Sequence, residues 1–212
     1  MDVTARFRGY LPVVVDVETA GFNAHTDALL EVAAVPVLPG PDGFRPGDVL
    51  EAAVHPFDGA NLEPAALRFT GIDPDDPARH ALPEAEALRA IFSPIRQTVK
   101  EQGCSRAIMV AHNAAFDQGF INAAVERCGI KRSPFHPFSS LDTATLAGLA
   151  YGHTVLREAM HRAGLEWDSS QAHSAAYDAE RTAWLFCDIV NAWDQHIGVP
   201  APPENEGDQA CD

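Results

Sequence analysis

The chain opens with short apolar runs separated by turn residues and later changes to apolar positions spaced three and four apart. Residues 11–17 form an apolar, β-branched run, the signature of a buried strand, and Gly21 marks the turn after it. Residues 29–37 predict a second strand and residues 49–54 a third, with Pro39, Gly40, Pro41, Asp42 and Gly43 between them as hairpin-loop material. The first part of the chain is therefore expected to be an antiparallel meander. After Pro83, the residues Ala85, Leu88, Ile91, Phe92, Ile95 and Val99 follow the period of an amphipathic helix that ends near Gly103. Residues 107–111 return to strand, residues 116–128 predict a helix stopped at Gly129, and residues 133–137 read as a proline-interrupted loop. Residues 141–149, 155–163 and 175–197 add three helical patterns. Strands first, then strands alternating with helices, indicate an α/β domain in which helices cover a mixed sheet. One domain is expected over residues 1–199, followed at 200–212 by a proline-rich, acidic tail whose composition favours disorder.

A chain of 212 residues, 46% of them hydrophobic, can bury one substantial core. No stretch approaches the ~20 apolar residues of a membrane span, and no apolar run follows the first basic residue, so a cytoplasmic location is expected. Cys104, Cys128, Cys187 and Cys211 are scattered without metal-knuckle or disulfide spacing and read as reduced thiols. The formal net charge of -15 opposes a polyanionic ligand, because phosphate binding rests on Lys and Arg releasing counterions. The basic residues are nevertheless clustered: Arg6 with Arg8, Lys100 with Arg106, and Lys131 with Arg132 can each serve a local surface.

Candidate chemistry lies in three segments. Asp16 and Glu18 end the first strand two residues apart, so strand alternation points both carboxylates to one face at about 6.6–6.8 Å Cα separation. Surface salt bridges are the commoner fate of such residues, but no Lys or Arg occurs between Arg8 and Arg45. Asp117 follows where a strand gives way to a helix, in the first turn, where an acid also suits the helix dipole. No Lys or Arg lies between Arg106 and Arg127, and His112 and Asn113 read as shaping the turn rather than ligating. In the third segment, helical pitch would set His173 and Asp178 about 140° apart. Both face one site only if His173 precedes the helix, which Ser174 as N-cap would allow. Alternatively Arg181, near Asp178, simply pairs with it.

Four acids converging on one site would repel one another unless cations neutralised them, and oxygen ligands favour magnesium or manganese. Two such ions ~3.5–4 Å apart polarise a phosphodiester, generate hydroxide and stabilise the leaving oxygen. A histidine with its reference pKa near ~6.5 suits the attacking water.

Taken together, Asp16-x-Glu18, Asp117, and His173 ahead of Asp178 resemble the motifs of the DEDDh exonuclease family. Arg6-Phe7-Arg8-Gly9, Gly21-Phe22-Asn23, Thr26-Asp27-Ala28, Gly59-Ala60-Asn61-Leu62 and Phe135-His136-Pro137-Phe138 narrow the likeness to the ribonuclease T family, over residues 6–198. The resemblance implies a ribonuclease H-like fold with a mixed five-stranded sheet flanked by helices. It implies that Asp16, Glu18 and Asp178 bind two Mg2+ (or Mn2+) ions, with His173 at the metal centre as general base and Asp117 helping through bound water. Phe22, Phe69, Phe116 and Phe138 would stack on the terminal bases, and their loop positions put Phe22 and Phe138 ahead of the other two. A homodimer is implied, in which a basic patch of Arg6, Arg8, Lys100, Arg106, Lys131 and Arg132 feeds RNA to the partner's site. Where the family has a glutamate four residues before the conserved Phe, this sequence has Ala65, with Glu63 out of register, so the resemblance does not by itself extend to discrimination against 3′ cytidine.

The function implied is a 3′→5′ exoribonuclease that trims single-stranded 3′ ends of structured RNAs, in transfer RNA end turnover and stable RNA maturation, with single-stranded DNA as a further substrate. A polymerase proofreading subunit shares the chemistry and would differ in its partner. A catalytically silent RNA-binding module would lack a metal ligand, and none is missing.

Overall fold

The computed structural model describes residues 2–200. Met1, Cys211 and, from residue 201 onward, the proposed tail lie outside the described residues. In chain order the elements are α1 (Val3–Arg6), β1 (Tyr10–Thr19), β2 (Leu29–Gly40), β3 (Gly43–Pro46), β4 (Leu50–His55), α2 (Pro64–Thr70), a 3-10 turn (Pro77–Arg79), β5 (Leu82–Pro83), α3 (Glu84–Glu101), β6 (Arg106–Ala111), α4 (Ala115–Arg127), β7 (Phe135–Asp142), α5 (Thr143–Tyr151), α6 (Leu156–Arg162) and α7 (Ala175–His196).

The apolar run of β1 makes it the centre of the sheet. It pairs antiparallel with β2 on one side and parallel with β6 on the other, and Leu11, Val13, Val14 and Val15 are all buried, so helices must cover both faces. Five strands in the order β4-β2-β1-β6-β7 form the body of the sheet, as expected, and the short β5 and β3 extend it to seven. The loop expected between the second and third predicted strands instead contains β3, which pairs antiparallel with the end of β2. On α3 the predicted stripe of Leu88, Ile91, Phe92, Ile95 and Val99 is the buried face.

Several elements depart from the sequence reading, which did not include the short α1, β3 and β5. Residues 135–142, expected as loop up to 137 and as helix from 141, are instead the edge strand β7, and α5 begins at Thr143. Most of β7 is not buried, so it lacks the apolar alternation that marks a strand. Helix α2 went unpredicted because none of its seven residues is buried, and a helix without an apolar face has no readable period. Proline at its first turn and Gly71 in the left-handed conformation after it are its local signals.

The parallel pair β1 and β6 positions the site. Their ladder ends at Val14 and Val110, after which β1 runs on through Asp16 to Thr19 beside β2, while β6 turns into α4. Ligands of open α/β sheets bind beyond the carboxyl ends of such strands. Among the described residues no helix is long and apolar enough to cross a membrane, and Cys104, Cys128 and Cys187 are free thiols.

Phe92 is fully buried and meets Phe135 of β7 edge-on, with ring centroids 5.9 Å apart. Phe92→Ala is expected to cost ~3–5 kcal/mol, read from the urea midpoint at unchanged slope.

Candidate active site

Asp16 and Glu18 share a face of β1, opposite Ala33 and Glu31 of β2. A register shift between Glu18 and Thr19 ends the regular ladder there. Asp117 lies in the first turn of α4 and is buried. Its Oδ1 accepts a hydrogen bond from the Val17 amide at 3.0 Å, which ties α4 to the backbone between the other two acids. The turn before α4 works as expected. Asn113 adopts a left-handed φ of 68° and donates its amide to Asp142, while His112 bonds to Thr143 Oγ1 and the Thr154 carbonyl.

Helix α7 begins after Ser174, and His173 precedes it with φ 69°. That left-handed residue brings the imidazole and Asp178 together, as the sequence required. The Ser174 side chain makes no cap bond, and instead Asp178 Oδ2 reaches back to accept the His173 amide at 3.1 Å. Arg181 pairs with Glu180 at 3.0 Å, so the alternative partner for Asp178 is occupied elsewhere. One donor atom each from Glu18, His173 and Asp178 lies within 4.8 Å of the others. Asp16 and Asp117 are outside that trio but belong to it electrostatically.

Burial, and then the charges of Asp117, Asp178, Glu18 and Glu31, push the Asp16 carboxyl well above its ordinary range. Burial, followed by Asp178, Glu31 and Asp117, raises Glu18 to about 8. Burial also lifts Asp117 to about 8 against the hydrogen bond from Val17, and it raises Asp178 although His173 opposes the shift. Asp178 Oδ1 is buried and has no hydrogen-bond partner among the described residues. Oxygen donors, crowded negative charge and one unsatisfied buried oxygen together fit a divalent cation.

Beside Glu18 opens an apolar cleft of about 410 Å³, lined by Phe22, Phe69 and Phe116 and, on α2, by Ala65 and Ala66. Phe22 is 90% exposed and Phe69 67%. Their rings face Phe116 at 6.2 Å and His173 at 4.3 Å between centroids. The structure divides the aromatic set. Phe69, ranked low by sequence, stands against His173, whereas Phe138, 80% exposed, lies outside the cleft with its ring on His136 at 4.6 Å. Ala65 leaves its part of the cleft wall without a polar group, and Glu63 lines the same cleft.

The basic residues also divide. Arg106, Lys131 and Arg132 line a groove with His136 and with Arg96 of α3, which the sequence reading did not include. Arg8 joins through Tyr10, whose ring it covers at 5.2 Å and which contacts His136 at 5.4 Å. Lys100 is exposed outside the groove, and Arg6 is held by Asp194 at 2.9 Å.

The exonuclease family model matches residues 13–186. A ribonuclease T of Marinobacter nauticus is 60% identical over 202 residues, covering 95% of this chain and 91% of the relative. Ribonuclease T of Yersinia enterocolitica is 58% identical over 201 residues, 94% of each chain. Among solved structures, Escherichia coli exonuclease I in complex with a dT13 oligonucleotide aligns with TM-score 0.65 at 20% identity, covering 87% of this chain and 41% of that one. That likeness is one of fold, and the fold is ribonuclease H-like.

A carboxyl raised on folding holds a proton that the unfolded chain has released. Stability of the cation-free protein therefore falls as pH rises from the ordinary Glu value of 4.5 towards the folded value of about 8 for Glu18. Glu18→Gln removes that loss. Its Tm in EDTA is expected to exceed that of the wild type near pH 8, by roughly 2–4 °C per kcal/mol relieved, and to converge with it near pH 4.5. A gain independent of pH would contradict the assignment.

Proposed function

Because the chain belongs to the ribonuclease T family of exonucleases, we propose that it removes nucleotides one at a time from single-stranded 3′ ends of RNA. The supporting observation is the adjacency of two sites: crowded acids with a partnerless buried oxygen on Asp178, and an aromatic cleft that shares Glu18 with them.

In this reading Asp16, Glu18 and Asp178 hold two Mg2+ or Mn2+ ions, with His173 beside them and Asp117 acting through water. The ions, when bound, supply charge neutralisation at the scissile phosphate and acidify water. His173 takes the proton of the attacking water, oriented by its left-handed backbone and by the bond from its amide to Asp178. Cleavage inserts hydroxide at phosphorus and returns a proton to the leaving 3′ oxygen, releasing a nucleoside 5′-monophosphate. Phe22, Phe69 and Phe116 seat the terminal base and set the register of the phosphodiester over Glu18. Stacking carries no base code, so the reading predicts broad sequence tolerance.

The net charge of -15 is reconciled with an RNA substrate by separation. The acids occupy the metal centre, and Arg96, Arg106, Lys131 and Arg132 line a groove of their own. We place this chain in a homodimer in which that groove, with Arg8 and Phe138 beside it, guides RNA towards the partner's acids. Stable RNA precursors and the transfer RNA 3′ end are the proposed substrates, with single-stranded DNA as an additional one.

On an RNA duplex with a short 3′ overhang and magnesium, the wild type is expected to shorten the overhang and release 5′-monophosphates. Asp178→Asn should lose more than the ~10–100-fold typical of outer-shell metal partners. An intact overhang with wild type, or full cleavage by the variant, overturns the proposal. Phe22→Ala is expected to weaken 3′-end binding by ~1–3 kcal/mol, measured by anisotropy with a labelled oligonucleotide in EDTA.

A further inference from the structure

Phe22 stands 90% exposed at the edge of the cleft with its ring edge-on to Phe116 at 6.2 Å, so its position is set largely by its backbone. The loop that carries it, between β1 and β2, is closed by the Ala20 amide to the Ala28 carbonyl at 2.8 Å and turned by the Thr26 and Asp27 amides, both to the Asn23 carbonyl, at 3.1 and 2.8 Å. What shapes the interior of the loop is the buried carboxylate of Asp27, only 6% exposed. Its Oδ2 accepts the Asn23 amide at 3.0 Å, and its Oδ1 accepts the Thr26 hydroxyl at 2.8 Å and the Asn61 side-chain amide at 3.0 Å. The backbone of Gly21 passes so close that a Cβ there would stand 2.0 Å from Asp27 Oδ2. Burial opposes the charge, but the bonds from Asn23, Asn61 and Thr26 hold the carboxyl below its ordinary range.

The Asn61 bond leads to the opposite wall. Asn61 is itself laid against the loop by its amide to the Thr26 carbonyl at 2.7 Å and by the Ala28 amide to its own carbonyl at 3.1 Å. Two residues on, the Glu63 amide bonds to the Ala20 carbonyl at 2.9 Å, and helix α2 then begins with Pro64 and carries Phe69. Asp27 thus joins the segment bearing Phe22 to the segment bearing Phe69. A second tie acts from outside, where Arg127, paired with Glu84 at 2.7 Å, donates to the Ala24 carbonyl at 3.4 Å.

We propose that Asp27, through Asn61, is the positioning residue that sets the separation of the Phe22 and Phe69 walls and so determines how tightly the 3′-terminal base is held. It touches neither the substrate nor the metal centre. The proposal rests on the cleft being the seat of that base, and the test separates the two ideas.

KM and kcat are to be measured on a short single-stranded RNA with magnesium for Asp27→Asn, Asn61→Ala, Phe22→Ala and the double variant Asp27→Asn/Phe22→Ala, with thermal melts confirming folding. Asp27→Asn is expected to raise KM roughly 5-fold or more, within the span of one lost stacking contact, with a smaller fall in kcat. Asn61→Ala should shift KM in the same direction, and it carries the test if Asp27→Asn does not fold. The double variant should resemble Phe22→Ala alone, because a ring already removed cannot be misplaced. Additive effects in the double variant, or a raised KM for Phe22→Ala with wild-type KM in both Asp27→Asn and Asn61→Ala, would overturn the positioning role. A wild-type KM for Phe22→Ala would instead overturn the reading of the cleft and the proposal with it.

Discussion

The structure is organised around mutual repulsion among carboxylates that have been taken out of water. Asp16, Glu18, Asp117 and Asp178 come from three separate elements, and burial raises all four above the ordinary carboxylate range, with the charge of neighbouring acids of the group adding to the rise at Asp16 and Glu18. Such a group is unfavourable in an empty protein and favourable around a divalent cation, so the cost of assembling it is a measure of the affinity it holds in reserve. The rest of the fold must be rigid enough to keep the acids there. Central strand β1, buried on both faces, provides that stiffness, and the bond from Val17 to Asp117 transmits it to α4.

Backbone geometry completes the centre where side chains alone could not. The left-handed conformation of His173 places an imidazole and a carboxylate on one side of a helix start, and the amide of the same residue occupies one oxygen of Asp178. The other oxygen is left buried and partnerless among the described residues. Backbone strain at this position is consistent with a functional constraint, since a non-glycine residue there needs surrounding structure to hold it.

Substrate contact follows a different physical rule. The rings of Phe22, Phe69 and Phe138 are exposed, at an apolar cost that core packing would remove. Phe22 and Phe69 line the cleft beside Glu18, while Phe138 sits by the basic groove. Positive and negative surfaces are kept apart by the same arrangement, which is how an acidic protein can face a polyanion.

From the chain alone, the apolar runs determined β1, β2, β4, β6 and the buried stripe of α3, because burial on a regular element leaves a regular pattern. The Asp-x-Glu pair, Asp117 and the His173–Asp178 spacing were legible for a related reason: local geometry dictates where such side chains can point, and the missing Lys and Arg nearby removed the ordinary partners. Tertiary structure decided whatever local pattern does not encode. Strand β7 and helix α2 bury little and so carry no period, which hid the exposure of Phe69 and the place of Phe138. Arg6 is engaged by Asp194 from the far end of the chain, and Arg96 enters the basic groove from α3, contacts that no spacing reveals. Nothing local marks Asp27 as a link, and only folding lays Asn61 across it and makes a single buried carboxylate the tie between two walls of one cleft.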